Sequence, residues 1–124
     1  MADRKRIYIA YTGGTIGMKP SPQGYVPVAG FLQTSVSQLS ELTRPEMPEF
    51  ELHEYLTLLD SSDMQPSDWQ FIADDIVERY DEFDGFIILH GTDTMAYTAS
   101  ALSFMFANLD KPIIVTGSQI PLAQ

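Results

Sequence analysis

Residues 7–11, Ile-Tyr-Ile-Ala-Tyr, are apolar at every position and run into a glycine pair, Gly13-Gly14. A short unbroken run of β-branched and aromatic residues predicts a strand buried on both faces, as in a parallel sheet. Residues 12–30 then hold Gly13, Gly14, Gly17, Gly24 and Gly30 with Pro20, Pro22 and Pro27, and so many breakers predict a loop with no long regular element. Loops beyond roughly 12–15 residues in compact domains are lids, binding loops or disordered linkers, which makes this one a candidate lid. Phe31, Leu32, Val36, Leu39 and Leu42 recur at helical spacing until Pro45 and Pro48 stop the helix. Phe50 to Tyr55 alternates imperfectly and reads as a strand. From Pro66, the apolar positions Trp69, Ile72, Ala73, Ile76, Val77 and Tyr80 follow the i, i+3, i+4, i+7 pattern of a helix with one face in the core. The turn Asp84-Gly85 leads to the apolar strand Phe86–Leu89. A small-residue helix from about Met95 to Asn108 and the strand Ile113–Thr116 complete the series. Strands alternating with helices predict an α/β fold with a parallel sheet and right-handed crossovers.

Composition narrows the function. With 124 residues, 44% of them hydrophobic, the chain is the size of one domain with one core. The absence of cysteine removes disulfides, iron–sulfur clusters, thiolate zinc sites and a cysteine nucleophile. The formal charge of -10 argues against nucleic acid as a partner, because phosphate binding depends on clustered Lys and Arg. Fourteen acidic residues lie between Glu41 and Asp84 against Arg44 and Arg79, which reads as a solvated acidic face. The apolar stretch after Arg4-Lys5-Arg6 is shorter than a secretory signal needs, and no run is long enough to span a membrane. These features predict a cytoplasmic protein with no membrane partner.

In a parallel α/β sheet, ligands bind beyond the carboxyl ends of the strands, so the loops after the strands are where chemistry is expected. They are Thr12-Gly13-Gly14-Thr15-Ile16-Gly17, Asp60-Ser61-Ser62-Asp63 and His90-Gly91-Thr92-Asp93-Thr94. Glycines beside threonines let backbone approach a ligand and aim amide N–H groups at an anion or a developing oxyanion. A threonine hydroxyl becomes a nucleophile when a base removes its proton. Each loop also has a plainer reading: a tight turn at Gly13-Gly14, helix-start chemistry at Ser61 to Asp63 and Thr92 to Thr94, a packed or capping His90. The Met and Phe residues within Leu102–Phe106 are most simply core. Neither G-x-G-x-x-G nor G-x-x-x-x-G-K-[ST] occurs, so neither nucleotide fingerprint is met. A flavodoxin-like phosphate loop, which would make the chain an FMN-binding electron-transfer protein, is the rival reading.

Tyr11-Thr12-Gly13-Gly14-Thr15-Ile16-Gly17 together with Leu89-His90-Gly91-Thr92-Asp93-Thr94-Met95 resembles the two signature segments of bacterial L-asparaginases. Gly24-Tyr25, Asp60 to Met64 and Lys111 to Gln119 resemble the type I, cytoplasmic branch. The resemblance implies a flavodoxin-like, three-layer α/β domain, with residues 1–124 forming the N-terminal part of the catalytic domain and the smaller C-terminal domain absent. It implies hydrolysis of L-asparagine to L-aspartate and ammonia through an acyl-enzyme, without metal or organic cofactor. Thr15 matches the nucleophile, Tyr25 a lid residue that closes over it, and Thr92 the second catalytic threonine. Asp93 matches the acid that holds the substrate α-amino group, Ser61 the serine for the α-carboxylate, and Ser62 a neighbouring substrate contact. The amides of Thr15 and Thr92 would form the oxyanion hole. The family's lysine partner of the second threonine has no match here, since Lys111 precedes a strand, so the 124 residues alone are expected to be inactive. Family members assemble as homodimers or homotetramers when full length. The same signatures occur in the asparaginase-like subunit of tRNA-dependent amidotransferases, a second alternative.

Overall fold

The computed structural model describes residues 4–56, 58, 63–106 and 109–122. Among the described residues, six strands and three α-helices follow one another as β1 (Arg6–Tyr11), β2 (Met18–Ser21), β3 (Gly24–Pro27), α1 (Phe31–Ser37), β4 (Glu49–Glu54), α2 (Pro66–Arg79), β5 (Gly85–Leu89), α3 (Met95–Met105) and β6 (Ile113–Thr116). The main sheet has the order β4-β1-β5-β6 and is parallel throughout. Tyr11 is in register with Glu54 on one side and Leu89 on the other, and Leu89 with Thr116. The four carboxyl ends therefore stand in one row.

The unbroken apolar run of β1 is explained by burial on both sides. Tyr8 and Ala10 join Phe86 and Ile88 in a core closed by Ile72, Ala73 and Ile76 of α2 and Leu102 of α3. Ile9, Tyr11 and Leu89 pack on the opposite face with Leu32 of α1. Helix, sheet and helix thus form three layers. The chain runs from β1 outward to β4, then crosses back over β1 to β5 with its helices on the other face. The direction of winding reverses between β1 and β5, and a crevice opens at the carboxyl ends of two strands wound in opposite directions.

One polar cluster sits inside this packing. The hydroxyls of Tyr8 and Tyr55 each donate to Asp75 Oδ2 at 2.8 Å, and Arg79 Nε donates to Asp75 Oδ1 at 3.0 Å while its guanidinium lies 4.8 Å from the Tyr8 ring centre. Burial, then the bond to Asp75, pushes the Tyr8 phenol well above the usual range, and burial with the charge of Asp75 does the same to Tyr55. Helix α2 begins at Pro66 behind a reciprocal cap, in which Asp68 Oδ2 accepts from the Gln65 amide at 2.8 Å.

Four local expectations change. The candidate lid contains a β-hairpin, β2 paired antiparallel with β3, closed by a turn in which Gly24 has φ +100° and Ser21 Oγ donates to the Gly24 carbonyl at 2.7 Å. Pro20 and Pro27 are tolerated because each hairpin strand has only one neighbour to bond. Helix α1 stops at Ser37, ahead of a separate 3-10 turn at Ser40–Leu42. There the hydroxyls of Thr34, Ser35 and Ser37 bond the carbonyls of Gly30, Phe31 and Thr34, which loosens the helical ladder. In α2, Val77 faces solvent although its spacing predicts core. In α3, Leu102 is buried and Phe106 packs against the core, but Phe104 is 90% exposed and Met105 is exposed as well.

Candidate active site

The loop after β1 is fastened to the loop after β5 by backbone. The Thr12 amide and the Thr12 hydroxyl both donate to the Leu89 carbonyl, at 3.0 and 2.9 Å. Gly13 and Gly14 then take φ of +143° and +107°, a region that side chains disfavour. A β-carbon on Gly14 would stand 2.8 Å from both Cα and N of Gly91, so the two glycines meet main chain to main chain. Thr15 and Thr92 are the residues that follow each of them. Thr15 opens a 3-10 turn, Thr15–Gly17, and is half-buried. The turn rests on Tyr11, whose hydroxyl donates to the Gly14 carbonyl at 2.8 Å. From the far side, Leu122 N–H donates to the Ile16 carbonyl at 2.9 Å.

The loop after β5 is held from beneath by a chain of side chains. His90 is fully buried, its amide donating to the Thr116 carbonyl at 2.9 Å. Its Nδ1 lies 2.6 Å from the Gly91 carbonyl, which can only accept, so Nδ1 carries the proton. In the neutral ring Nε2 then accepts from the Thr98 hydroxyl at 2.8 Å, and Thr98 Oγ1 accepts from Trp69 Nε1–H at 2.9 Å. Gly117 lies so close that a β-carbon there would be 2.1 Å from the His90 carbonyl. Beyond this support Thr92 and Asp93 are exposed, and Thr94 begins α3 by accepting from the amides of Tyr97 and Thr98 at 3.0 and 3.1 Å.

Tyr25 is carried by β3 opposite Pro20 and is 46% exposed. The hairpin's far end returns to the sheet where the Gly30 amide donates to the Glu54 carboxylate at 3.1 and 3.3 Å. Thr15, Thr92 and Asp93 thus come to one edge at the winding reversal, with the Tyr25 hairpin starting directly after the Thr15 turn. Ser61 and Ser62 lie outside the described residues. Lys111 stands at the opposite end of β6, where Nζ donates to the Tyr80 carbonyl at 2.5 Å. Among the described residues no group of three or more His, Asp or Glu could hold a metal ion, and no helix is long and apolar enough to cross a membrane. Sequence reasoning passed over the Tyr11 clamp and the Trp69–Thr98–His90 chain. Tyr11 read as strand and Trp69 as core, and periodicity records that a side chain is buried, not what its polar end meets.

A doubly wound parallel sheet with a glycine- and threonine-built crevice at its winding reversal defines the class. The chain belongs to the asparaginase family, whose N-terminal domain matches residues 6–124. It is 68% identical over 121 residues to L-asparaginase 1 of Escherichia coli K12, a match that covers 98% of this chain and 36% of that protein. The crystal structure of L-asparaginase I from Vibrio cholerae superimposes with a TM-score of 0.90 at 70% identity, again over 98% of this chain and 36% of the other. The probable cytoplasmic L-asparaginase of Campylobacter jejuni is 30% identical with a TM-score of 0.72, over 98% and 35%. The chain therefore spans about a third of the length of these relatives.

Proposed function

We propose that the full-length protein is a cytoplasmic L-asparaginase, hydrolysing L-asparagine to L-aspartate and ammonia with Thr15 as nucleophile. The observation that carries the reading is the contact of Gly14 with Gly91, which holds two threonine-bearing loops together at the carboxyl edge of the sheet. Thr15 Oγ attacks the side-chain amide carbon, and the amides of Thr15 and Thr92 face the oxygen on which charge develops. Donors of this kind contribute roughly 3–4 kcal/mol each in other hydrolases. The carbon–nitrogen bond breaks, the hydroxyl proton leaves on ammonia, and an aspartyl ester of Thr15 remains. Water then cleaves the ester to aspartate and restores the hydroxyl. Thr92 and Asp93 relay the proton and hold the α-amino group, Ser61 binds the α-carboxylate, Ser62 makes a neighbouring substrate contact, and Tyr25 closes over the site on its hairpin.

The 124 residues alone are expected to be inactive, because Lys111 is engaged at the wrong end of β6 to serve Thr92. The full-length form is proposed to be a homodimer or homotetramer. Ammonia release from L-asparagine by purified full-length protein tests the reading. Equal yields of ammonia and aspartate from a colourless protein are expected; a yellow, flavin-bearing protein that leaves asparagine intact would overturn it.

A further inference from the structure

We infer that Tyr11 is a positioning residue for Thr15, fixing the orientation of the Gly14–Thr15 peptide from beneath through its hydroxyl. The inference rests on the proposed role of Thr15. Tyr11 is the last residue of β1 and is wholly buried on the α1 face, in the same cluster as Leu32. Its hydroxyl donates to the Gly14 carbonyl at 2.8 Å, and the turn bearing Thr15 packs against its ring at Gly17. A β-carbon on Gly17 would stand 2.4 Å from Cζ and 2.5 Å from the hydroxyl oxygen of Tyr11.

The geometry says what this contact does. In a trans peptide the C=O and N–H point in opposite directions. Anchoring the Gly14 oxygen on the buried phenol therefore turns the Thr15 N–H away from Tyr11, outward, and sets the Cα from which the Thr15 hydroxyl projects. Two successive glycines at positive φ leave this peptide little intrinsic preference for one orientation, because glycine populates both halves of φ space with similar ease. One orientation must then be selected by something outside the backbone. The Gly17 amide also reaches the Gly14 carbonyl, at 3.4 Å, but belongs to the same short turn and moves with it. Tyr11 belongs to the central sheet. Burial, and then the negative charge of Glu54, pushes its phenol up to about 12, so the donor keeps its proton across the range in which an enzyme works.

Tyr11→Phe in the full-length protein keeps the ring under Gly17 and removes only the donor. The expected result is a kcat lower by roughly ten- to a hundred-fold, in line with the cost of a misplaced reacting group, with KM for asparagine and the melting temperature little changed. Gly17→Ala lifts the turn off the ring by another route and should lower kcat in the same way. The double variant should be little worse than either single one, because both break the same support. A Tyr11→Phe enzyme with unaltered kcat overturns the inference, as do fully multiplicative losses in the double variant. Should Tyr11→Phe fail to fold, an unaltered kcat in Gly17→Ala overturns it instead. Thr15→Ala, assayed alongside, separates the two levels: turnover surviving in Thr15→Ala defeats the nucleophile reading, whereas an inactive Thr15→Ala beside a fully active Tyr11→Phe defeats only the role of Tyr11.

Discussion

Gly14 and Gly91 touch through their backbones, each one residue ahead of a threonine, and this contact, with the Thr12 bonds to the Leu89 carbonyl, holds the two signature loops close together. Gly14→Ala places a β-carbon 2.8 Å from Gly91 and forces φ +107° on a residue that resists it. The expected cost is about 1–3 kcal/mol of stability, read from the urea midpoint, together with a fall in turnover as Thr15 and Thr92 are pushed apart. A variant with the parent's midpoint and rate would mean that the contact sets nothing.

Asp75, half-buried, gathers two buried phenols and Arg79 onto one carboxylate. Asp75→Ala leaves all three without this acceptor and should cost about 2–3 kcal/mol in urea unfolding. Asp75→Asn keeps one acceptor oxygen and should recover part of the loss. Equal losses in the two variants would assign the effect to charge alone.

Alkaline pH should expose the phenols. Tyr11 ionises at about 12 in the folded chain against an ordinary phenol near 10, so the folded state holds its proton where the unfolded state has lost it. Its contribution is fully present below pH 10 and is lost as pH rises from 10 towards 12. Tyr8 and Tyr55 are raised too and act in the same direction. Urea midpoints measured across pH 9 to 12 should fall above pH 10, and Tyr11→Phe should make the decline shallower. An unchanged slope in that variant would remove Tyr11 from the linkage.

Thr98 is the middle link between Trp69 and His90, accepting from one and donating to the other. Thr98→Val keeps the shape but leaves the indole N–H and the His90 Nε2 unpaired beneath the Thr92 loop. A loss of about 2 kcal/mol in thermal or urea unfolding is expected. Full stability would show that neither group needs its partner.

The parts of the fold visible in sequence are those where burial alone decides the residue. Ile7 to Tyr11 could be read as a central strand because both its faces are covered, and the glycine–threonine loops because backbone must approach backbone there. The β2–β3 hairpin was hidden by Pro20 and Pro27, which deny a central strand but not a two-stranded ribbon. Phe104 was misplaced because α3 is apolar nearly all round, and without a polar face its periodicity cannot say which side is buried. Tyr11, Trp69 and Thr98 bury polar ends whose partners lie far along the chain or across a turn, and no local pattern encodes such pairings. Thr15, Thr92 and Asp93 could be nominated from their loops; the distinct tasks of Tyr25, Ser61 and Ser62 were legible only through family resemblance.

The central claim is that Thr15 carries the covalent chemistry, and ammonia release from L-asparagine by full-length Thr15→Ala tests it most directly. Deleting a nucleophile lowers turnover by several orders of magnitude in enzymes whose catalytic groups act as a unit. The prediction is therefore a rate reduced on the order of a thousand-fold or more in a protein that still folds. Ammonia released by that variant at close to the parent rate would contradict it.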